Sequence, residues 1–188
     1  MSGKKAVFLD KDGTLIRDVP YNADPSKVEL LHGVASGLRQ LSNKGYLFFI
    51  VTNQAGVAKG YFKEEALTAV EHKLQLLLHQ SGIALSGFYY CPHHPQGVVA
   101  AYAKACHCRK PMPGMLFDAA TRHGLSLAQS WMVGDILDDI EAGNRAGCRT
   151  VLVDGTASER VQISGGYRRP SYIADNFKEA ANLIVKNT

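Results

Sequence analysis

The chain is predicted to fold as an α/β domain built on a mainly parallel sheet. Short apolar runs alternate with stretches whose apolar residues recur at helical spacing, the pattern of a parallel sheet covered by helices. Several of those runs end in a polar tip, and in open α/β sheets ligand sites lie just beyond the carboxyl ends of strands. With 188 residues, 46% hydrophobic and 20% charged, the chain is expected to form one domain, 1–188, with a sizeable core. No internal repeat or linker divides it.

In order, Ala6–Leu9 is small or apolar and reads as a buried first strand, followed by Asp10, Asp12, Gly13 and Thr14. Arg17–Glu29, rich in Pro, Asp and Asn, reads as a loop lying over that strand's end. Leu38 and Leu41 mark a helix ending near Lys44–Gly45. Tyr46–Val51 is a second strand tipped by Thr52, Asn53 and Gln54. Residues 63–82 carry an amphipathic helix with Glu64 and Glu65 in its first turn and Gly82 past its end. GFYYC, 87–91, is a third strand, and 92–113 is irregular. A helix follows over 113–124, with Pro113 near its first position and Gly124 past its end. SWMVGD, 130–135, is a fourth strand ending in a carboxylate, 136–147 a helix, and 149–155 a fifth strand. Residues 157–171 read as loop, and 172–185 as a short strand and closing helix.

The net charge of +4 is mild and no long Lys/Arg run occurs, which favours an anionic small ligand over nucleic acid. No signal-like or bilayer-length apolar run is visible, so a cytoplasmic protein without membrane contact is expected. Of the four cysteines, Cys148 stands apart. Cys91, Cys106 and Cys108 cluster with His93, a Cys₃His set suited to tetrahedral structural zinc, with His94 as an alternative ligand. Zinc there would order a loop with little core of its own and fix Arg109 and Lys110 behind Cys108.

The strand tips suit phosphoryl transfer. Asp10 can attack phosphorus, with Asp12 as partner acid, while Thr52 and Lys110 hold the equatorial oxygens. Asp135 with Asp10 can offer oxygen ligands to Mg²⁺.

D-x-D-G-T at Asp10, T-N-Q at Thr52, K-P at Lys110 and G-D-x-x-x-D at Gly134, Asp135 and Asp139 resemble, in order, the four motifs of the haloacid dehalogenase (HAD) superfamily of phosphatases. The resemblance implies a three-layer Rossmann-like fold. Asp10 becomes the nucleophile that forms an aspartyl-phosphate, and Asp12 the general acid and then base. Thr52 and Lys110 stabilise the phosphoryl group. Mg²⁺ is held by Asp10, Asp135 and the backbone carbonyl of Asp12, and Asp139 orients Lys110 or a water.

YYCPHHPQG, CHCRKPMPGM and TNQAGVAKGYF further resemble the histidinol-phosphate and heptose-bisphosphate phosphatase branch. In that branch a small zinc loop, here about 91–110, replaces a large cap domain. Zinc falls to Cys91, His93, Cys106 and Cys108. Substrate contacts fall to Thr52, Asn53, Gln54, Arg109, Lys110 and the loop from Asp18 to Tyr21. Ile136 stands where that branch often has Lys. The implied reaction is Mg²⁺-dependent removal of the 7-phosphate of a heptose 1,7-bisphosphate, for nucleotide-activated heptose and lipopolysaccharide synthesis, by a monomer. A histidinol-phosphate phosphatase is the alternative; its cationic substrate fits the positive Arg109 less well. A polynucleotide end phosphatase or zinc-dependent nucleic-acid module ranks last.

Overall fold

A computed structural model describes residues 3–153, 159–160, 162–163 and 165–188. Six strands form one sheet: β1 (Ala6–Leu9), β2 (Leu47–Asn53), β3 (Gly87–Cys91), β4 (Trp131–Gly134), β5 (Arg149–Val153) and β6 (Tyr172–Ala174). Their order is β3-β2-β1-β4-β5-β6, and every neighbouring pair is parallel. Around the sheet lie the helices α1 (Val34–Ser42), α2 (Ala66–Gln80), α3 (Gly114–His123), α4 (Leu137–Ala146) and α5 (Phe177–Lys186), counted among the described residues.

Alternation along the strands sorts the core into layers. Val7 and Leu9 of β1 join Phe48, Ile50, Trp131 and Val133 under α1, α2 and α5. Ala6 and Phe8 face the other way, with Phe49, Val51 and Met132, against α3 and α4. β1 is buried on both faces, which is why it reads as a continuous apolar run. Each fully buried side chain such as Phe8 or Ile50 contributes about 1.5–3 kcal/mol relative to exposure. The Trp131 indole, completely buried, donates to the Tyr46 hydroxyl at 3.2 Å, so its one polar group is satisfied. Among the described residues no helix is long and apolar enough to cross a membrane.

The chain winds from β1 outward to β3, then crosses back to place β4 on the other side of β1. That reversal opens a crevice at the carboxyl ends of β1 and β4, the place where such sheets bind ligands.

Several boundaries differ from the sequence reading. β2 continues through Thr52 and Asn53, because both pair in register with Tyr90 and Cys91 of β3. α2 starts at Ala66, so Glu64 and Glu65 precede its first turn; Glu64 instead accepts the Tyr102 hydroxyl from the 92–113 loop. Pro113 caps α3 and is not its first residue, while Gly124 ends it in the left-handed conformation. The expected loop over 17–29 includes a single 3-10 turn, Pro25–Lys27. Within the expected loop over 157–171, a 3-10 turn spans Gly166–Arg168. Residues 154–158, 161 and 164, which take in the expected end of the fifth strand and part of that loop, lie outside the described residues.

Candidate active site

Asp10 follows β1 and is 8% exposed, its amide donating to the carbonyl of Val133 at 2.9 Å across the crevice. Lys110 arrives from the loop before α3. Its ammonium is buried, pairs with Asp10, lies 2.5 Å from Asp139 Oδ1 and donates to the Val51 carbonyl at 2.8 Å. Asn53 fixes the Lys110 backbone from both sides. Its Nδ2 donates to the Lys110 carbonyl, and its Oδ1 accepts the Lys110 amide, each at 3.0 Å. Asp135 follows β4 and accepts the Thr14 hydroxyl at 3.0 Å. Gly13, at φ +80°, lies so close to Asp135 that a Cβ there would stand 2.2 Å from Oδ2. Gly134 has the same relation to Asp139, with a Cβ 2.3 Å from Oδ2. Only glycine permits these approaches. Asp139, on the first turn of α4, accepts the Ile136 amide at 3.3 Å, whereas Asp138 pairs with Arg168 at 3.3 Å. Asp139 therefore faces Lys110, and Asp138 turns toward Arg168.

Burial is the main force raising the Asp10 pKa well above the ordinary carboxyl value; Lys110 opposes it, and Asp139, Asp135 and Asp12 add to it. Burial and Asp139 push Asp135 up to about 7. Burial works against the charge on Lys110, but Asp10 and Asp139 outweigh it and hold the ammonium above its usual range. One oxygen from each of Asp10, Asp135 and Asp139 lies within 4.8 Å of the others. Crowded, half-repelling, hard oxygen donors of this kind fit a divalent cation such as Mg²⁺, which would relieve their repulsion. The Asp12 carboxylate does not join this group. Its oxygens accept Lys11 Nζ at 2.7 Å and Gln54 Nε2 at 3.3 Å, and the metal role expected for this residue falls on its backbone carbonyl.

A cavity of about 290 Å³ opens beside Asp12, between Asp18–Asn22 and Asn53–Gly56. Asp18, Tyr21, Asn53 and Gln54, the residues assigned to substrate, are among those lining it. The Asn53 amide is nevertheless occupied by Lys110, and the Gln54 amide by Asp12 and by Thr52 Oγ1 at 2.8 Å. These two side chains thus organise the catalytic groups as well as form the wall. Tyr21 has φ +53°, packs edge-on against Tyr61 with centroids 4.6 Å apart, and accepts Lys59 Nζ at 2.6 Å. Arg109 is not among the residues lining this cavity; it donates to the His93 carbonyl at 3.3 Å.

Sequence reasoning missed Lys11, Lys59 and Glu64. Lys59 and Glu64 act through partners distant in the chain, so no local pattern marks them. For Lys11 the only signal was position: it continues the alternation of Val7 and Leu9 toward the buried face.

At the far end of β3, Cys91, His93, Cys106 and Cys108 bring three sulfurs and one ring nitrogen within 4.8 Å of each other. The Sγ atoms are 3.0–3.4 Å apart and His93 Nδ1 is 3.4 Å from Cys108. All four cysteines are free thiols, and burial drives the Cys91 thiol pKa strongly upward. Three soft sulfurs and an imidazole converging on one point fit zinc. His94 lies outside the cluster; its Nδ1 accepts the Gln96 amide at 3.1 Å.

The sequence profile of the HAD-hydrolase-like family matches residues 107–180. A D-glycero-beta-D-manno-heptose-1,7-bisphosphate 7-phosphatase of Haemophilus ducreyi is 44% identical over 152 residues, 80% of this chain and 83% of that protein. The enzyme of the same name from Photorhabdus laumondii is 35% identical over 185 residues, covering 98% and 92%. Among solved structures, a D,D-heptose 1,7-bisphosphate phosphatase from B. bronchiseptica, complexed with magnesium and phosphate, superposes with a TM-score of 0.84 at 29% identity. It covers 98% of this chain and 99% of that one.

Proposed function

The chain belongs to the heptose-bisphosphate phosphatase family of HAD-like hydrolases, and from that membership we propose that it removes the 7-phosphate of D-glycero-D-manno-heptose 1,7-bisphosphate. The product is the heptose 1-phosphate, consumed in nucleotide-activated heptose synthesis for lipopolysaccharide core or other surface glycan. The whole chain, 1–188, acts as one catalytic domain on a small sugar bisphosphate. The enzyme class, a phosphoric monoester hydrolase, follows directly from family membership.

In the proposed reaction a carboxylate oxygen of Asp10 attacks phosphorus while the bond to the sugar oxygen breaks, and Asp12 gives that oxygen its proton. Water then attacks the aspartyl-phosphate, Asp12 takes the water's proton, and phosphate leaves with Asp10 restored. Lys110 and the Thr52 hydroxyl hold the equatorial phosphoryl oxygens as charge builds. Asp139, buried against Lys110, keeps the ammonium charged and aimed. Mg²⁺, held by Asp10, Asp135 and the Asp12 backbone carbonyl, with Asp139 close by, would neutralise the repulsion between nucleophile and phosphate. Cys91, His93, Cys106 and Cys108 would hold zinc in a structural role, fixing the segment that carries Arg109 and Lys110. Asp18 and Tyr21, in the cavity wall, and Arg109, carried next to Lys110, read the part of the substrate away from the cleaved bond.

The observation that carries this reading is the buried Lys110 ammonium set between Asp10 and Asp139, beside Asp135, at the β1/β4 crevice. Phosphate release from α- and β-heptose bisphosphates and from histidinol phosphate tests it. A heptose bisphosphate is expected to give the highest kcat/KM. A higher value for histidinol phosphate would replace the substrate assignment with the alternative.

A further inference from the structure

Lys11 has no exposed surface, and the chemistry above does not use it. Burying an ammonium is costly unless a partner hydrogen-bonds it. Lys11 Nζ donates to Asp12 Oδ1 at 2.7 Å. The other Asp12 oxygen accepts Gln54 Nε2 at 3.3 Å, and that amide is itself held on Thr52 Oγ1 at 2.8 Å. Asp12 remains 27% exposed, and it faces the cavity. Lys11 and Gln54 thus each hold one oxygen of the Asp12 carboxyl, and its rotamer is fixed from both sides. The Lys11 backbone is fixed too: its carbonyl accepts the amides of Leu15 and Ile16, both at 3.0 Å, closing the turn that carries Gly13 and Thr14 to Asp135.

We infer that Lys11 is a positioning residue for the acid step: its buried ammonium holds the Asp12 carboxyl in the rotamer that delivers its proton to the leaving oxygen. The inference rests on the reading of Asp12 as general acid. In that step the Asp10–phosphorus bond forms, the bond from phosphorus to the leaving oxygen breaks, and the Asp12 proton moves to that oxygen. A sugar alkoxide needs the proton, whereas p-nitrophenolate leaves without it.

The readout is the ratio of kcat/KM for an alkyl phosphate to that for p-nitrophenyl phosphate, using the heptose bisphosphate or whichever sugar phosphate the enzyme turns over. Both values cover the same steps up to phosphorylation of Asp10, and the ratio does not depend on the fraction of folded protein. Lys11→Met should lower it at least about tenfold, part of the roughly 10²–10⁴-fold that a general acid contributes. Lys11→Gln should lower it similarly, and Lys11→Arg should restore it to within about threefold. Asp12→Asn separates the two claims. An unchanged ratio in Asp12→Asn would overturn the acid assignment itself. A lowered ratio there, with Lys11→Met and Lys11→Gln unchanged, would overturn the inference and leave Lys11 as core packing. Insolubility of both uncharged variants beside a soluble Lys11→Arg would equally assign Lys11 to folding alone and count against it.

Discussion

Asp10, the proposed nucleophile, has surroundings that work against its charge. Burial raises its pKa, and only Lys110 opposes that. Asp10→Asn replaces the attacking oxygen with an amide that cannot form an acyl phosphate, while removing a charge that burial disfavours. Turnover should fall below detection with the melting temperature kept within a few degrees; measurable phosphate release from verified Asp10→Asn protein would refute the mechanism. Arg109 is constrained differently. Cys108 and Lys110 flank it in the chain, and its guanidinium is tied to the His93 carbonyl at 3.3 Å, leaving further N–H donors for an anion. Ile136, 41% exposed, supplies no cation where the family often places one, so the proposed reading assigns the second phosphate to Arg109. Arg109→Ala should cost about 1.5–3 kcal/mol on the bisphosphate, roughly ten- to hundred-fold in kcat/KM. A monophosphate lacking the distal group should change little. Equal losses on both substrates would show that Arg109 supports the loop and does not select.

The 92–113 loop is an element with little regular structure, and the rest of the chain holds it at named points. Val98 and Val99 donate to the Ala58 carbonyl at 2.8 and 3.0 Å, Tyr102 bonds Glu64, and Asn53 clamps the Lys110 backbone. Those ties position the loop, but the Cys₃His cluster is what closes it on itself. Zinc should be found at about one per chain and should survive dialysis that strips Mg²⁺, because thiolates hold soft metals far more tightly than carboxylates hold Mg²⁺. Extracting it should abolish activity through Lys110 and lower the melting temperature, while far-ultraviolet circular dichroism keeps the α/β signature. Metal analysis without zinc on protein purified free of chelators would defeat this. The cysteine cluster was legible because its ligands fall in two short local patterns. The Asn53 clamp was not, because its partner lies 57 residues on and an asparagine at a strand tip looks like a turn former. The start of α2 was misread for a related reason: two glutamates ahead of an apolar stripe suit a first helical turn, but a hydroxyl from a distant loop claims one of them. Lys11 was hidden because a lysine between two aspartates looks solvated until the chain around it is folded.

At the scale of the molecule, strand order turns local motifs into a site. β1 and β4 are neighbours, so Asp10 and Asp135, far apart in sequence, end on the same rim, and α4 adds Asp139. Each strand could be read from its apolar run, but the gathering of three carboxylates, two of them paired with one ammonium, depends on the crossover and has no local trace. That packing makes the metal-free fold sensitive to pH. Asp10 and Asp135 have folded pKa values above the ordinary 3.8, Asp135 at about 7, so between about 4 and 7 the folded state binds more protons than the unfolded one. Stability from these groups therefore falls as pH rises through that window, the reverse of the usual salt-bridged carboxylate. Mg²⁺ requires the same carboxylates ionised, so its binding releases protons and its apparent affinity should weaken by roughly tenfold per pH unit below about 7. At fixed Mg²⁺ the rise in Tm should be clearly larger at pH 8 than at pH 5.5, since stabilisation follows the ratio of free ion to Kd. Proton release on mixing at pH 6.5, followed in weak buffer, should accompany binding and disappear at pH 8.5. Equal Tm shifts at both pH values, with no proton released, would mean that Asp135 is already ionised in the metal-free protein and that burial does not govern the site's charge.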